Sequence, residues 1–376
     1  MKKSNIVITV PEGLCPFLKT EVEALGLPVR SVSATGLFTE GTSIDAMKLN
    51  LHIRTGHHVL FQIAAFRCGN ADELYKELSA IPWETIIPSN EYLSVVSNVR
   101  NDTIRDSRFA NLRTKDAIVD RIMARKGRRP DSGPDRSGAV VSIFWRDERC
   151  TVYLDTSGEV LSKRGYRRIP LGAPMQETLA AGVLMAGGLK AGENFVNPMC
   201  GSGTLAIEAA LALTNRVPGL TRQNFGFFHL LGFDMKAWEA MKRDAKTRVL
   251  KTIPSQITAS DKNEKAVEAA RKNAETAGVE QLINFEICDY SQTTVPEAPG
   301  VVVVNPEYGI RLGDESNLVD TYRGIGSFFK QKCRGYRGAV FTANTNLAGQ
   351  IGLKAKRKIP FFNGKIECRL YEYDLY

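Results

Sequence analysis

The chain has 376 residues, too long for one typical domain and suited to two or three. With 43% hydrophobic and 24% charged residues it has the composition of an ordinary globular protein, which excludes collagen-like, low-complexity and disordered classes. The formal charge of +9 suits a polyanionic partner without demanding one. Residues 1–163 carry net +2 and residues 164–376 net +7.

In chain order, a strand is expected at 6–10. A helix follows over 11–25, with Pro11 near its start and Gly26 beyond its end. Val29–Thr35 and His58–Phe66 read as strands around a short helix at Ile44–Leu51. Next come a helix (Ala71–Ala80), a strand (Tyr92–Ser97) and a longer helix (Asn111–Lys126). Strands Ala139–Trp145 and Thr151–Leu154 close this α+β half, which reads as two small units ending near Lys163.

The second half alternates. Helix Met175–Ala186 leads to strand Asn194–Val196, then helix Leu205–Leu213. After an insertion with a charged helix (Ala237–Leu250), strands Gln256–Ala259, Ile283–Ile287, Val301–Val304 and Ala339–Thr342 are spaced by helices Glu264–Ala277 and Leu318–Lys332. Alternation of this kind implies a parallel sheet covered on both faces. The last strand, Ile366–Tyr373, suits an antiparallel edge hairpin.

No run approaches the ~18 apolar residues of a membrane span, and the N-terminal apolar run is too short for a signal peptide. Seven scattered cysteines without C-x-x-C spacing argue against both a disulfide framework and a metal site. A cytoplasmic location is expected. The four histidines, His52, His57, His58 and His229, lack ligand spacing and read as structural.

Three places carry chemistry. N-P-M-C-G-S-G-T (Asn197, Pro198, Met199, Cys200, Gly201, Ser202, Gly203, Thr204) joins a strand to a helix. Its glycines allow a tight turn, and the helix N-terminus offers unpaired N–H groups that suit the carboxylate of a methionine moiety. Asp261, after the next strand, is placed to grip ribose hydroxyls, and Asp289, one strand further, to meet an adenine amine. The 58 residues between Gly203 and Asp261 count against a nicotinamide dinucleotide. N-P-E-Y (Asn305, Pro306, Glu307, Tyr308) follows the buried strand Val301–Val304. The Asn305 side chain and the Pro306 carbonyl can each accept a hydrogen of an exocyclic amine, aiming its lone pair at a sulfonium methyl, while Tyr308 offers a face to a base. Each element taken alone is more often a turn or a helix cap; their register at successive strand ends favours the joint functional reading. Cys200 reads as a small buried hydrophobe rather than a nucleophile.

Q-E-T-L-A-A (Gln176, Glu177, Thr178 to Ala181), Asn197–Ala210, V-P-G-L (Val217–Leu220), Ser260–Asp261 and N-P-E-Y-G-I-R-L (Asn305–Leu312) resemble the RlmL-type 23S rRNA guanine-N2 methyltransferases. These are THUMP-containing class I enzymes often labelled N6-adenine-specific DNA methylases. Upstream, Asn101–Phe109, Lys115–Asp120, Arg128–Pro130 and Arg164–Arg167 extend the resemblance over nearly the whole chain. It implies an α/β fold: a ferredoxin-like plus THUMP RNA-binding region at 1–163, then a seven-stranded Rossmann-like methyltransferase domain at 164–376. It implies S-adenosylmethionine as cofactor, with Gln176, Glu177 and Thr178 joining the binding residues above, and large-subunit rRNA as partner. Expected RNA contacts are Arg125, Lys126, Arg128 and Arg129, within a stretch (100–136) of net +5, and Lys163, Arg164, Tyr166 and Arg167 at the junction. The alternatives are a tRNA guanine, DNA adenine-N6, or a catalytically weak assembly factor. Two positions depart from the family's pattern. Asn197 stands where Asp is usual, and Glu307 replaces the second proline of N-P-P-Y.

Overall fold

Eight strands of the first half, where the sequence suggests two small units, pair into one sheet. The computed structural model describes residues 2–104, 106–169, 171, 175–309 and 314–376, with side chains from Leu318 in the last segment. Arg105 and the expected motif positions Ile310, Arg311 and Leu312 lie outside the described residues. The elements of the first half are β1 (Ser4–Thr9), α1 (Cys15–Ala24), β2 (Val29–Ser33), β3 (Gly36–Gly41), α2 (Ser43–His52), β4 (His58–Arg67), α3 (Ala71–Ala80), β5 (Tyr92–Arg100), α4 (Ser107–Lys126), β6 (Asp131–Ser132), β7 (Ala139–Arg146) and β8 (Arg149–Asp155). The sheet order is β2-β3-β1-β4-β8-β7-β5-β6. The antiparallel pair β4–β8, from Leu60 opposite Asp155 to Arg67 opposite Arg149, joins the two expected units into one sheet.

Caps place the helices of this half. Thr42 and Asp45 form a capping box at α2, Asn70 accepts the N–H groups of Asp72 and Glu73 at α3, and Asp106 caps α4. Gly127, at φ 68°, ends α4 in the left-handed conformation. Trp83 and Trp145 are buried with their indole N–H groups donated to the Leu78 and Cys68 carbonyls.

The chain forms two compact units, with a change between them at Leu161/Ser162. Two segments count otherwise: Pro11–Phe17 belongs with the second unit and Arg222–Asp244 with the first. In the first unit, Phe225, Phe227, Phe228, Phe233 and Trp238 pack as one aromatic cluster. Arg222 donates to the Ser157, Glu159 and Val160 carbonyls. A Cβ on Gly226 would collide with the Asp155 carbonyl, so that position admits only glycine. In the second unit, Phe17 stacks on Phe361 with ring centroids 5.8 Å apart.

The second unit contains α5 (Glu177–Ala186), β9 (Asn194–Pro198), α6 (Thr204–Leu213), β10 (Ile257–Asp261), α8 (Glu264–Ala277), β11 (Ile283–Ile287), β12 (Gly300–Val304), α9 (Asp314–Lys332), β13 (Tyr336–Thr342), α10 (Thr345–Gly349), β14 (Arg357–Asn363) and β15 (Ile366–Asp374); α7 (Met235–Thr247) lies between α6 and β10 in the chain. The sheet order is β11-β10-β9-β12-β13-β15-β14. Five strands run parallel, as the alternation predicts, and β15 pairs antiparallel with both β13 and β14 in the expected final hairpin. The strand β14 was not legible as a strand, because its start reads as the charged run Lys354–Lys358. Chain order reverses between β9 and β12, the switch point at which open α/β sheets bind ligands. The all-buried β12 packs with β13 against Tyr322, Ile325 and Phe329 of α9, spaced three and four residues apart as one helix face requires.

Candidate active site

Both motif loops leave the carboxyl ends of neighbouring strands. β9 and β12 pair in parallel, Phe195 opposite Val301, so the Asn197–Thr204 loop and the Asn305–Tyr308 tetrad flank the switch point. Gly201 and Gly203 adopt φ 55° and 84°, as the turn demands. A Cβ on Gly203 would come within 2.8 Å of the Ala270 Cβ, so this glycine also lets the loop lie close to α8. Met199, a non-glycine, sits at φ 55°, a conformation nothing in the sequence signals. Gly203 leaves the N-terminus of α6 with no side-chain cap, so its first N–H groups are not claimed by a capping residue.

The loop is braced from below. Cys200 N–H donates to the Ser260 carbonyl, and Gly201 N–H donates to Asp261 Oδ2 at 3.0 Å. Asp261 Oδ1 accepts from Asn263 N–H. The carboxylate expected to hold a ribose therefore also fixes the glycine turn. Asp289 is exposed; its Oδ1 accepts from Ser291 N–H and Oγ and caps the short turn after β11. Burial, with Asp261 nearby, pushes the Cys200 thiol far above its ordinary range, which keeps it protonated and fits the structural reading of that residue.

Asn197 is buried in β9. Its Nδ2 donates to the Val303 carbonyl of β12 at 2.9 Å. Among the described residues its Oδ1 has no partner. A buried acceptor without a donor is costly, so this oxygen is ready for a ligand N–H. Pro198, Ser202 and Thr204 are buried as well.

Gln176 is exposed before α5, whereas Glu177 and Thr178 are buried. Glu177 lies 3.3 Å from Arg167, whose guanidinium also donates to the Met175 carbonyl and Thr204 Oγ1. Burial raises the Glu177 carboxyl while Arg167 opposes the shift.

Two residues expected to contact RNA are instead buried in the second unit. Arg164 and Tyr166 are each only 1% exposed. The Tyr166 hydroxyl donates to Glu208 Oε1 at 3.0 Å, and Arg164 pairs with the same oxygen. Side chains so buried cannot reach a phosphate. They answer Glu208, the one acid in the otherwise apolar α6, because a buried carboxylate requires a cation and donors. That lone acid was the available signal. Arg167 is half-buried and braces Thr204 rather than facing outward, while Lys163 is exposed. Arg125 and Lys126, in the last turn of α4, and Arg128 and Arg129 beyond Gly127 are all exposed. Asn273 escaped sequence reading. Buried in α8, it accepts from the Arg168 and Ile169 N–H groups and donates to the Ser202 carbonyl, tying that segment to the glycine loop.

In the tetrad, Asn305 is half-buried, Pro306 buried and Glu307 exposed. The Tyr308 ring does not stand open for stacking. It lies 6.3 Å from Phe341 by ring centroids, and its hydroxyl donates to Asn305 Oδ1 at 2.8 Å. Tyr322 donates to the Glu307 carbonyl, and Asn344 Nδ2 to the Tyr308 carbonyl.

Comparison with known proteins gives three domain matches: an RlmL ferredoxin-like domain over residues 5–60, a THUMP domain over 68–155, and an RMKL-like methyltransferase domain over 164–372. The chain is 37% identical to ribosomal RNA large subunit methyltransferase K/L of Syntrophotalea carbinolica, over 98% of this chain and 53% of that protein. It spans about half the length of the curated relatives it matches. A solved structure from Clostridium difficile 630, described as a possible methylase, superposes with a TM-score of 0.89 at 28% identity, covering 100% and 99% of the two chains. A methyltransferase solved with S-adenosylhomocysteine gives 0.89 at 27% identity and the same coverage.

Proposed function

Because this chain belongs to the family of RMKL-like methyltransferase domains, we propose that it transfers a methyl group from S-adenosylmethionine to the exocyclic N2 amine of a guanine in large-subunit rRNA. The observation that carries this reading is the placement of the glycine loop and the Asn305 tetrad at the ends of the neighbouring strands β9 and β12. The unpartnered Asn197 Oδ1, the uncapped start of α6 and the close-lying Gly203 fit such a cofactor. When bound, it supplies an electrophilic methyl group on its sulfonium.

The residues of this chain do the rest by orientation and by exclusion of water. Asn305 Oδ1 and the Pro306 carbonyl accept the two amine hydrogens and hold the nitrogen lone pair toward the methyl. Asp261 holds the ribose and Asp289 the adenine end. Glu307 favours guanine over adenine: guanine presents an N1–H donor beside its amine, whereas adenine presents an N1 lone pair that a carboxylate repels. Arg125, Lys126, Arg128 and Arg129, with Lys163, meet RNA phosphates, and the target base leaves its stack to enter the site. The relatives' shared description as large-subunit rRNA methyltransferases supports the choice of substrate.

The test of the tetrad's role is Asn305→Ala. The variant is expected to lose methylation while binding S-adenosylmethionine as the wild type does, measured by calorimetry. Retained activity would remove the amine-positioning role.

A further inference from the structure

The tetrad is held by its backbone from α9 and from the turn that follows β13. The Glu307 carbonyl can only accept, so the Tyr322 hydroxyl, 3.0 Å away, must donate to it. That spends the one hydrogen Tyr322 has. The 2.8 Å contact between Tyr322 Oη and Thr342 Oγ1 must then run from Thr342 to Tyr322. Thr342 Oγ1 in turn accepts from Asn344 N–H at 3.0 Å. The chain is therefore directional: Asn344 N–H to Thr342, Thr342 to Tyr322, Tyr322 to the Glu307 carbonyl. Asn344 adds a second brace through Nδ2 to the Tyr308 carbonyl, while its Oδ1 caps α10.

Tyr322 is wholly buried in the core between α9 and the sheet, and Thr342 is 1% exposed. Neither side chain can reach a base. Burial pushes the Tyr322 hydroxyl up to about 12, so it remains a donor throughout the working pH range. The two carbonyls that follow Pro306 thus accept from the protein, and among the described residues the Pro306 carbonyl is the one of the three left for an incoming amine.

We propose that Tyr322, oriented by Thr342, is a positioning residue that fixes the Asn305–Tyr308 turn in the geometry needed to hold an exocyclic amine. This rests on the methyltransferase reading above for its effect on rate, but not for its effect on the loop. A positioning error of about 1 Å costs on the order of 100-fold in rate.

Tyr322→Phe keeps the buried ring and removes only the hydroxyl. It is expected to lower kcat by roughly 10- to 100-fold, with KM for RNA and the dissociation constant for S-adenosylmethionine within about twofold of wild type. Thr342→Val should reproduce part of the loss and Thr342→Ser should restore the wild-type rate. Thr342→Val should add nothing in the Tyr322→Phe background, since it acts through that hydroxyl. Hydrogen exchange of the peptide covering residues 304–309, read on the same proteins, should rise in Tyr322→Phe and Thr342→Val but not in Thr342→Ser. A wild type that methylates no nucleic acid, alongside that exchange pattern, would sink the functional reading and leave the relay standing. Unchanged exchange and unchanged kcat in Tyr322→Phe would overturn the relay. A kcat loss matched by weaker cofactor binding in both Thr342 variants would make Tyr322 a packing residue only.

Discussion

The Tyr308 hydroxyl donates to Asn305 Oδ1 across 2.8 Å, so the acceptor proposed for a substrate amine is occupied by the protein's own side chain. An amine must compete with that hydroxyl for Oδ1, and the ring is half-buried with Phe341 beside it. Removing the hydroxyl removes the competitor while keeping the stacking face. Tyr308→Phe is therefore expected to raise kcat/KM roughly two- to tenfold, the worth of one net hydrogen bond. Tyr308→Ala should lower it through loss of stacking, worth about 1–3 kcal/mol per base. Steady-state methylation kinetics decide, and a lower kcat/KM in Tyr308→Phe would show that the hydroxyl assists the reaction.

Asn197 makes a contact that an aspartate in its place could not. Its Nδ2 donates to the Val303 carbonyl, which an ionised carboxylate cannot do. Asn197→Asp would place two acceptors face to face in a buried site. It should destabilise the protein by about 1–3 kcal/mol at neutral pH. Burial would raise the new carboxyl's pKa in the folded state, so the loss should be greatest above that pKa and shrink as pH falls and the group protonates. Urea unfolding at pH 5 and pH 7.5 checks this. A pH-independent cost would mean that the Val303 contact is not responsible.

Glu84 and Arg121 form a two-pronged pair, both bonds 2.9 Å, and the hydrogen bonds from Arg121 bring the Glu84 carboxyl down to about 2. A folded-state value below the unfolded one means stability that is complete above about pH 4.5 and is lost as pH falls toward 2. Glu84→Gln should lower stability at pH 7 and flatten the decline between pH 4.5 and 2, read from thermal melts across that range. A decline as steep as that of the wild type would assign acid sensitivity elsewhere.

Arg164 and the Arg125 cluster should separate cleanly. Removing Arg164 leaves Glu208 buried without its cation and should cost about 3–5 kcal/mol of stability. Neutralising Arg125, Lys126, Arg128 and Arg129 together should leave stability within about 0.5 kcal/mol. It should instead weaken RNA binding and reduce the salt dependence of affinity by roughly one unit of slope per lost phosphate contact. Unfolding curves and salt-titrated binding measure both. An unchanged salt slope would remove the cluster from the RNA contacts.

The sequence shows most of the second sheet because strands and helices alternate along it, β12 is uniformly apolar, and the loop after β9 carries two glycines. The same rhythm placed Asn197–Thr204, Asp261 and Asn305–Tyr308 at the carboxyl edge. Partnership across the chain was not legible. K-R-G-Y-R-R looks like an RNA-facing run until Glu208, some forty residues on, is seen to claim Arg164 and Tyr166. Asn273, Tyr322 and Thr342 sit inside ordinary helix and strand patterns, and only their partners mark them out. The segment Arg222–Asp244 reads as an insertion in the catalytic half, yet its aromatic cluster belongs to the first unit. Periodicity reports which face of an element is buried, but not against what.

The most direct test of the central claim is methylation in vitro of three substrates, unmodified large-subunit rRNA, tRNA and duplex DNA, followed by nucleoside mass spectrometry. The account predicts N2-methylguanosine from rRNA and from neither of the others. N6-methyladenine in DNA, or no methylated nucleoside from any substrate despite measurable S-adenosylmethionine binding, would contradict it.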